Sequence, residues 1–113
     1  MDVVAFIGPA GTGKSHRASK VAYDCGADVI IDDGILIKDN RIIAGSSAKY
    51  ESNKIRSVKK AIFADDEHAR QVRDALSQMQ VSRVLVLGTS SNMVDKIVRV
   101  LQLPPVSQVI NIY

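Results

Sequence analysis

The sequence predicts an α/β fold of three layers, in which helices cover both faces of a parallel β-sheet. Short apolar runs alternate along the chain with polar segments whose apolar residues recur at helical spacing. The apolar runs are continuous and rich in β-branched residues, which is typical of strands buried on both faces. Strands and helices in alternation form parallel sheets with right-handed crossovers. At 113 residues, one domain over residues 1–113 is expected.

The first 31 residues are predicted to form one βαβ unit. Residues 2–7 are an apolar run that ends at Gly8, and the polar stretch behind the following glycine-rich turn has helical spacing. Gly26 lies where a glycine cap ends a helix. Residues 28–31 then have the β-branched pattern of a buried parallel strand.

A small hairpin and a loop are predicted next. Residues 35–37 and 41–43 flank Asp39-Asn40, a pair of residue types that tolerates the positive φ of a two-residue turn. Residues 45–53 are polar and without period, which predicts a mobile surface loop.

Two consecutive helices should follow the loop. An apolar stripe at helical spacing runs from Val58 to Met79, but Asp65 to Glu67 in its middle suits an N-cap and first turn. The break is therefore placed near Ala64.

The last third is predicted to add a strand, a helix and a final strand. Residues 84–87 form a buried run ending at Gly88, and Ser90 or Ser91 can cap the next helix. Pro104-Pro105 sets the end of that helix. Residues 108–113 are predicted as the final strand.

Composition points to a cytoplasmic globular protein. Residues are 46% hydrophobic and 24% charged, and Cys25 is the only cysteine, so no intramolecular disulfide is expected. No apolar run approaches the roughly 20 residues of a membrane span, and the first residues lack the pattern of a signal peptide. We therefore expect no membrane association.

The charge balance favours an anionic ligand without identifying it. The net charge is +3, and the chain has only two Phe, three Tyr and no Trp. Because single-stranded nucleic acid binds on aromatic stacking platforms, nucleic acid is an unlikely partner.

The strongest motif matches G-x-x-x-x-G-K-[ST], the Walker A pattern, between a predicted strand and a predicted helix. Glycines let the backbone close around a phosphate, and successive N–H groups at the helix N-terminus point at the anion. The lysine then reaches the β and γ phosphates and the serine hydroxyl ligates Mg²⁺. The matching residues are Gly8, Pro9, Ala10, Gly11, Thr12, Gly13, Lys14 and Ser15.

Asp32 and Asp33 follow the second strand and should emerge at the same sheet edge as this loop, because ligands bind at the carboxyl ends of parallel strands. A carboxylate there can hold Mg²⁺ or accept a proton from an attacking hydroxyl. Either aspartate can instead simply turn the chain into Gly34. We take Lys14, Asp32 and Asp33 as catalytic candidates, and Ser15 and Asp32 as metal ligands.

Three weaker features have two interpretations each. A basic segment between the loop and the next helix could clamp a phosphorylated substrate or be a solvated face: Lys49, Lys54, Arg56, Lys59 and Lys60. Residues 88–91 could contact substrate or cap a helix. His16, in the first turn behind the phosphate loop, is counted among the cofactor-binding candidates or is an ordinary surface residue. His68 lacks a second His or Cys at ligand spacing.

With IGPAGTGKS at 7–15, VIIDD at 29–33 and VLVLGTS at 84–90, the chain resembles the P-loop NTPases. Within them it resembles small-molecule kinases of the shikimate kinase and adenylate kinase type. The resemblance implies that Lys14 is the phosphate lysine, that Ser15 ligates Mg²⁺, and that Asp32 or Asp33 serves Mg²⁺ or the substrate hydroxyl. It also implies a strand order of 2-3-1-4.

The chain departs from that family in three places. His16 stands where such kinases commonly have Thr, and the glycine cluster after the third strand is reduced to Gly88. The resemblance also implies an arginine-bearing lid and a last strand and loop that grip adenine, and the sequence reaches Tyr113 before either. A truncated N-terminal core and a nucleotide binder that transfers phosphate poorly are both open.

The leading functional hypothesis is a Mg-ATP-binding, kinase-like phosphotransferase or ATPase core acting on an unknown small-molecule or protein acceptor. The alternative is a non-catalytic nucleotide-sensing module whose loop at 45–53 orders for a partner protein. A third, weaker hypothesis is nucleic-acid binding through residues 49–60. The guanine-reading N-K-x-D pattern is absent from the sequence, which favours ATP over GTP mildly.

Overall fold

The computed structural model describes residues 1–48 and 51–112, and it has a mixed α/β architecture with a six-stranded sheet and four helices in that part of the chain. The strands are Asp2–Ile7 (β1), Val29–Asp32 (β2), Ile35–Lys38 (β3), Arg41–Gly45 (β4), Arg83–Gly88 (β5) and Val106–Asn111 (β6). The helices are Lys14–Cys25 (α1), Lys54–Ala61 (α2), Asp66–Ser77 (α3) and Ser91–Val100 (α4).

The sheet has the strand order β4-β3-β2-β5-β1-β6. β1 pairs in parallel with β5 on one side and β6 on the other, and β2 pairs in parallel with β5. β3 and β4 are antiparallel to their neighbours. The predicted hairpin therefore extends the sheet itself, and the sheet is mixed rather than purely parallel.

Apolar residues cover both faces of the sheet. On one face Val3, Ala5 and Val86 pack in a cluster with residues of α3 and α4. On the other face Phe6 and Leu85 pack against α1. Because β1 and β5 are buried on both sides, their sequences are continuously apolar, as expected for central parallel strands.

The helix boundaries agree with the predicted caps. The Asp65 side chain accepts from the His68 N–H at 3.0 Å, and the Ser90 hydroxyl accepts from the Met93 N–H at 3.2 Å. The predicted break between the two middle helices is confirmed, since α2 ends at Ala61 and α3 begins at Asp66. The turn at Asp39 and Asn40 has φ of 51° and 63°, as predicted.

Most strand boundaries differ from the prediction by one or two residues. β6, predicted over residues 108–113, spans Val106–Asn111, since Val106 also pairs with Val3 across a bulge at Ser107, whose hydroxyl donates to the Val3 carbonyl at 3.0 Å. β2 begins after Asp28, whose carboxylate accepts the N–H groups of Ser82 and Arg83.

Lys49 of the predicted basic segment, residue 50 of the predicted loop and Tyr113 of the predicted final strand lie outside the described residues. Of the helices within residues 1–48 and 51–112, none has the length and apolar character needed to cross a membrane.

Candidate functional site

A cleft of about 680 Å³ opens at the carboxyl ends of β1, β2 and β5. Its walls are formed by the turn before α1, the end of β2, the end of β5 and the start of α4. The lining residues are Ala10, Gly11, Gly13, Lys14, Ser15, His16, Asp32, Asp33, Leu87, Gly88, Thr89 and Met93. The three strand ends singled out in the sequence thus meet at one cleft.

The segment Gly8–Ser15, here called the glycine loop, connects β1 to α1. The Gly8 N–H donates to the Gly88 carbonyl at 3.2 Å, and a Cβ on Gly8 would overlap the Ile112 side chain. Gly11 and Gly13 both have φ of 80°, and a Cβ built on either has no heavy atom within 4 Å. Gly8 is therefore required by close packing, whereas Gly11 and Gly13 are required by backbone conformation and open into free space.

Lys14 folds back along the glycine loop. Its Nζ donates to the carbonyl of Gly8 at 2.6 Å and to that of Pro9 at 3.0 Å. The Thr12 hydroxyl donates to the same Pro9 carbonyl at 2.7 Å. These bonds hold an ammonium group beside the loop. Three of the predicted phosphate-binding residues, Gly8, Pro9 and Thr12, take part in these bonds and do not line the cleft.

The N-terminus of α1 faces the cleft with unpaired N–H groups. Gly13 caps the helix without a side-chain hydrogen bond, and the first intrahelical donor is Arg17, whose N–H reaches the Gly13 carbonyl at 3.1 Å. The N–H groups of the first turn, which holds Ser15 and His16, therefore lack intrahelical acceptors. An arrangement of this kind favours an anion through its N–H groups and the helix dipole.

Asp32 and Asp33 both line the cleft but have different surroundings. Asp33 (φ 56°) and Gly34 (φ 90°) form a two-residue turn that joins β2 to β3. The Asp33 carboxylate accepts from the Ser47 hydroxyl at 3.3 Å, and its carbonyl accepts from the Ala48 N–H at 2.8 Å. No described residue hydrogen-bonds to the Asp32 carboxylate. Asp33 thus turns the chain, and Asp32 presents the carboxylate with fewer contacts.

The sequence reasoning did not single out Leu87 and Met93, which also line the cleft. The N–H and hydroxyl of Thr89 lie 3.4 and 3.5 Å from the Met93 Sδ. The predicted N-cap could have indicated Met93. With Ser90 as N-cap, Met93 falls in the first turn of α4, directly after the end of β5.

The described basic residues of the predicted substrate clamp lie outside the cleft. Lys60 Nζ contacts the Glu51 carboxylate and the Ser46 hydroxyl, each at 3.1 Å. Arg56 and Lys59 line a separate surface hollow with Lys60, Glu51 and Asp65. Two carboxylates in this hollow, those of Glu51 and Asp65, offset part of its positive charge, and none of its lining residues lines the cleft.

The residues present fit a nucleotide phosphate and Mg²⁺. The free space beside Gly11 and Gly13, the unpaired first-turn N–H groups and the Lys14 ammonium suit an anion. Ser15 and Asp32 add two oxygen donors at the same cleft, and oxygen is the ligand type that Mg²⁺ prefers.

Comparisons with protein-family models, with curated proteins and with solved structures found no match to this chain.

Proposed function

We propose that this chain is a P-loop domain that binds Mg-ATP and forms the core of a kinase-like phosphotransferase. One observation carries the proposal: a complete G-x-x-x-x-G-K-[ST] segment lies between a central parallel strand and a helix whose first N–H groups open into a cleft. A cleft of about 680 Å³ is within the range of small-molecule sites, roughly 300–1,000 Å³.

The order of the parallel strands adds independent support. They stand as β2-β5-β1-β6. Numbered among the parallel strands alone, this is 2-3-1-4, the order that the resemblance to small-molecule kinases implies. β1, which leads into the glycine loop, is flanked on both sides, as expected where a strand must hold a phosphate-binding turn.

Several polar groups of the cleft have a role in the proposed phosphoryl transfer. The N–H groups of the glycine loop and of the first turn of α1 donate to phosphate oxygens, and Lys14 places positive charge at the β and γ phosphates. Ser15 and Asp32 would hold Mg²⁺, which would supply further charge neutralisation. Asp32 or Asp33 orients the acceptor hydroxyl in line with the γ phosphate. Thr89 and Met93 border the space left for the acceptor.

Calorimetric titration of Mg-ATP and Mg-GTP tests the proposal, with phosphate release followed in the same samples. We compare the parent with Lys14→Ala and with Lys20→Ala, a matched control on the same helix whose side chain is exposed and pairs only with Asp24 among the described residues. We expect Lys14→Ala to weaken ATP binding at least about tenfold, because a charge-assisted contact of about 1.5–3 kcal/mol is lost. Lys20→Ala should bind like the parent. Equal binding by Lys14→Ala and parent would remove the assignment.

A second candidate, the nucleotide-sensing module, is favoured by one contact. The Ser47 hydroxyl and the Ala48 N–H both bond to Asp33, so the segment after β4 is tied to a residue of the cleft. If nucleotide shifts Asp33, this segment responds and can present a surface to a partner. Protection of residues 45–53 from protease by Mg-ATP without turnover would favour sensing. Steady transfer of phosphate to a hydroxylated acceptor would favour the kinase.

A further inference from the structure

His68 is a buried polar residue close to the cleft but outside it. It lies in the first turn of α3 and is 6% exposed, and no other polar or charged side chain among the described residues is classed as buried. Its imidazole points away from α3 towards the turn between β2 and β3 and towards the residue that follows β4. The proposed function gives this side chain no role.

One ring nitrogen of His68 makes both of its polar contacts. Nε2 lies 2.6 Å from the Gly34 carbonyl oxygen, and the Ser46 backbone N–H points at the same nitrogen from 3.3 Å. The first contact needs a proton on Nε2 and the second needs a lone pair there, so one tautomer serves only one of them. We assign the proton to Nε2, donated to Gly34, because this contact is much the shorter and a carbonyl oxygen and a nitrogen lone pair would repel each other at 2.6 Å. Nδ1 is then a buried atom without a hydrogen-bond partner among the described residues.

Packing alone does not explain an imidazole at this position. The ring lies against Phe63, a residue of the apolar cluster on this face of the sheet, with the two ring centroids 4.6 Å apart. Leucine or methionine would supply similar apolar volume without leaving Nδ1 unsatisfied, and buried polar atoms are ordinarily paired. What only a side chain with a donor provides here is the bond to the Gly34 carbonyl.

Gly34 belongs to the turn that carries the two aspartates. Asp32 pairs with Ile35 across this turn, and Asp33 and Gly34 are its central residues. A Cβ on Gly34 would lie 3.1 Å from His68 Cε1 and 2.5 Å from the Ser46 carbonyl oxygen, so the turn is enclosed on that side. A bond from α3 to Gly34 therefore fixes where the end of β2 stands relative to the glycine loop.

We propose that His68 is a positioning residue for the metal site: its Nε2–H holds the Asp32-Asp33-Gly34 turn so that the Asp32 carboxylate meets the Mg²⁺ of a bound nucleotide. The proposal rests on the proposed function. It assigns His68 no contact with nucleotide, so the affinity for nucleotide in the absence of metal should not depend on it.

A pair of similarly shaped variants tests this role. In His68→Gln the side-chain amide keeps a donor close to the position of Nε2, whereas His68→Met has the same length and no donor. The readout is the ratio of the ATP dissociation constants in EDTA and in Mg²⁺, measured by calorimetry. We expect this ratio to fall about tenfold in His68→Met, as for other groups that orient metal ligands. We expect it to stay near the parent value in His68→Gln, with metal-free ATP affinity unchanged in both.

The outcomes distinguish a failure of the positioning role of His68 from a failure of the proposed function. An unchanged ratio in a folded His68→Met protein overturns the positioning role and leaves the proposed function standing. Absence of ATP binding by the parent overturns both. Should His68→Met not fold, ¹⁵N spectra of the parent imidazoles, assigned with His16→Gln, give the decision. A proton on Nε2 supports the proposal, and a proton on Nδ1 overturns it, because Nε2 could then not donate to Gly34.

Discussion

The glycines of the glycine loop are required for two different reasons, close packing and backbone conformation. Gly8 has no room for a side chain because Ile112 packs against it, while Gly11 and Gly13 have room but adopt a left-handed backbone conformation. The motif could be found in the sequence because its residue types follow from the chemistry of phosphate binding. The contact between Gly8 and Ile112 could not, because it joins residues at opposite ends of the chain.

This contact predicts a non-additive pair of substitutions. Gly8→Ala should lower the free energy of unfolding by about 1–3 kcal/mol, since the added methyl group overlaps Ile112. Ile112→Ala makes room for it, so the double variant should be more stable than the sum of the single effects by at least about 0.5 kcal/mol. Urea unfolding of the four proteins measures this coupling. Simple additivity would mean that Ile112 does not limit the space at Gly8.

The stability of the fold should depend on pH through the carboxylate of Asp28. Its carboxylate accepts the N–H groups of Arg83 at 3.0 Å and Ser82 at 2.7 Å, and these bonds lower the pKa of Asp28 below its ordinary value. A lowered pKa in the folded state means that the stabilisation is present above the unfolded pKa of about 4 and is lost as pH falls through the folded pKa.

Substitution of Asp28 should therefore lower the free energy of unfolding at neutral pH and leave it unchanged in strong acid. Asp28→Asn is expected to unfold at lower urea concentration than the parent at pH 7, with the two midpoints converging below about pH 4. Asp24→Asn is the control, because Asp24 is an exposed residue paired with Lys20 on one helix. A constant difference between parent and Asp28→Asn across the pH range would contradict the assignment.

At the scale of elements, the sequence predicts the local signals correctly but not the pairing of the hairpin with the edge of the sheet. The caps at Asp65 and Ser90 and the turn at Asp39-Asn40 depend on adjacent residues, so the sequence was sufficient to predict them. Asp33-Gly34 is also a typical two-residue turn. The sequence left open whether an aspartate there serves the site or turns the chain into Gly34, and it did not indicate that the turn joins β2 to an antiparallel partner, β3, in the same sheet. The bulge at Ser107 depends on β1 and has no local signal.

The β2–β3 turn should be far less tolerant of a side chain than a glycine in open surroundings. Gly34→Ala combines an unfavourable φ of 90° with a close approach to the Ser46 carbonyl, so we expect a loss of at least about 3 kcal/mol. Gly26→Ala, at the end of α1, has a similar φ of 75° and meets only the Arg83 side chain, so about 1–2 kcal/mol is expected. Chemical denaturation compares them, and equal losses would show that backbone conformation alone matters at Gly34.

On the scale of the whole molecule, the sheet brings residues from distant parts of the sequence to one edge. The glycine loop, Asp32 and Thr89 follow β1, β2 and β5, and the parallel pairing of these strands places their carboxyl ends together. The general location of the cleft could be predicted from alternation of strands and helices alone. The separation of the basic segment from the cleft could not be predicted, because it depends on tertiary contacts such as those of Lys60 with Glu51 and Ser46.

The position of β1 between two parallel strands predicts slow hydrogen exchange of its amides. Its amides are hydrogen-bonded within the sheet and its side chains are buried on both faces, so they should exchange with deuterium only when the whole domain unfolds. The amides of Gly11 and Gly13 should exchange orders of magnitude faster in the same protein, because they lie in a loop that opens to solvent. Exchange followed by mass spectrometry would place the boundary between slow and fast amides at Gly8. The glycine loop could then open locally while β1, to which it is attached, stays folded.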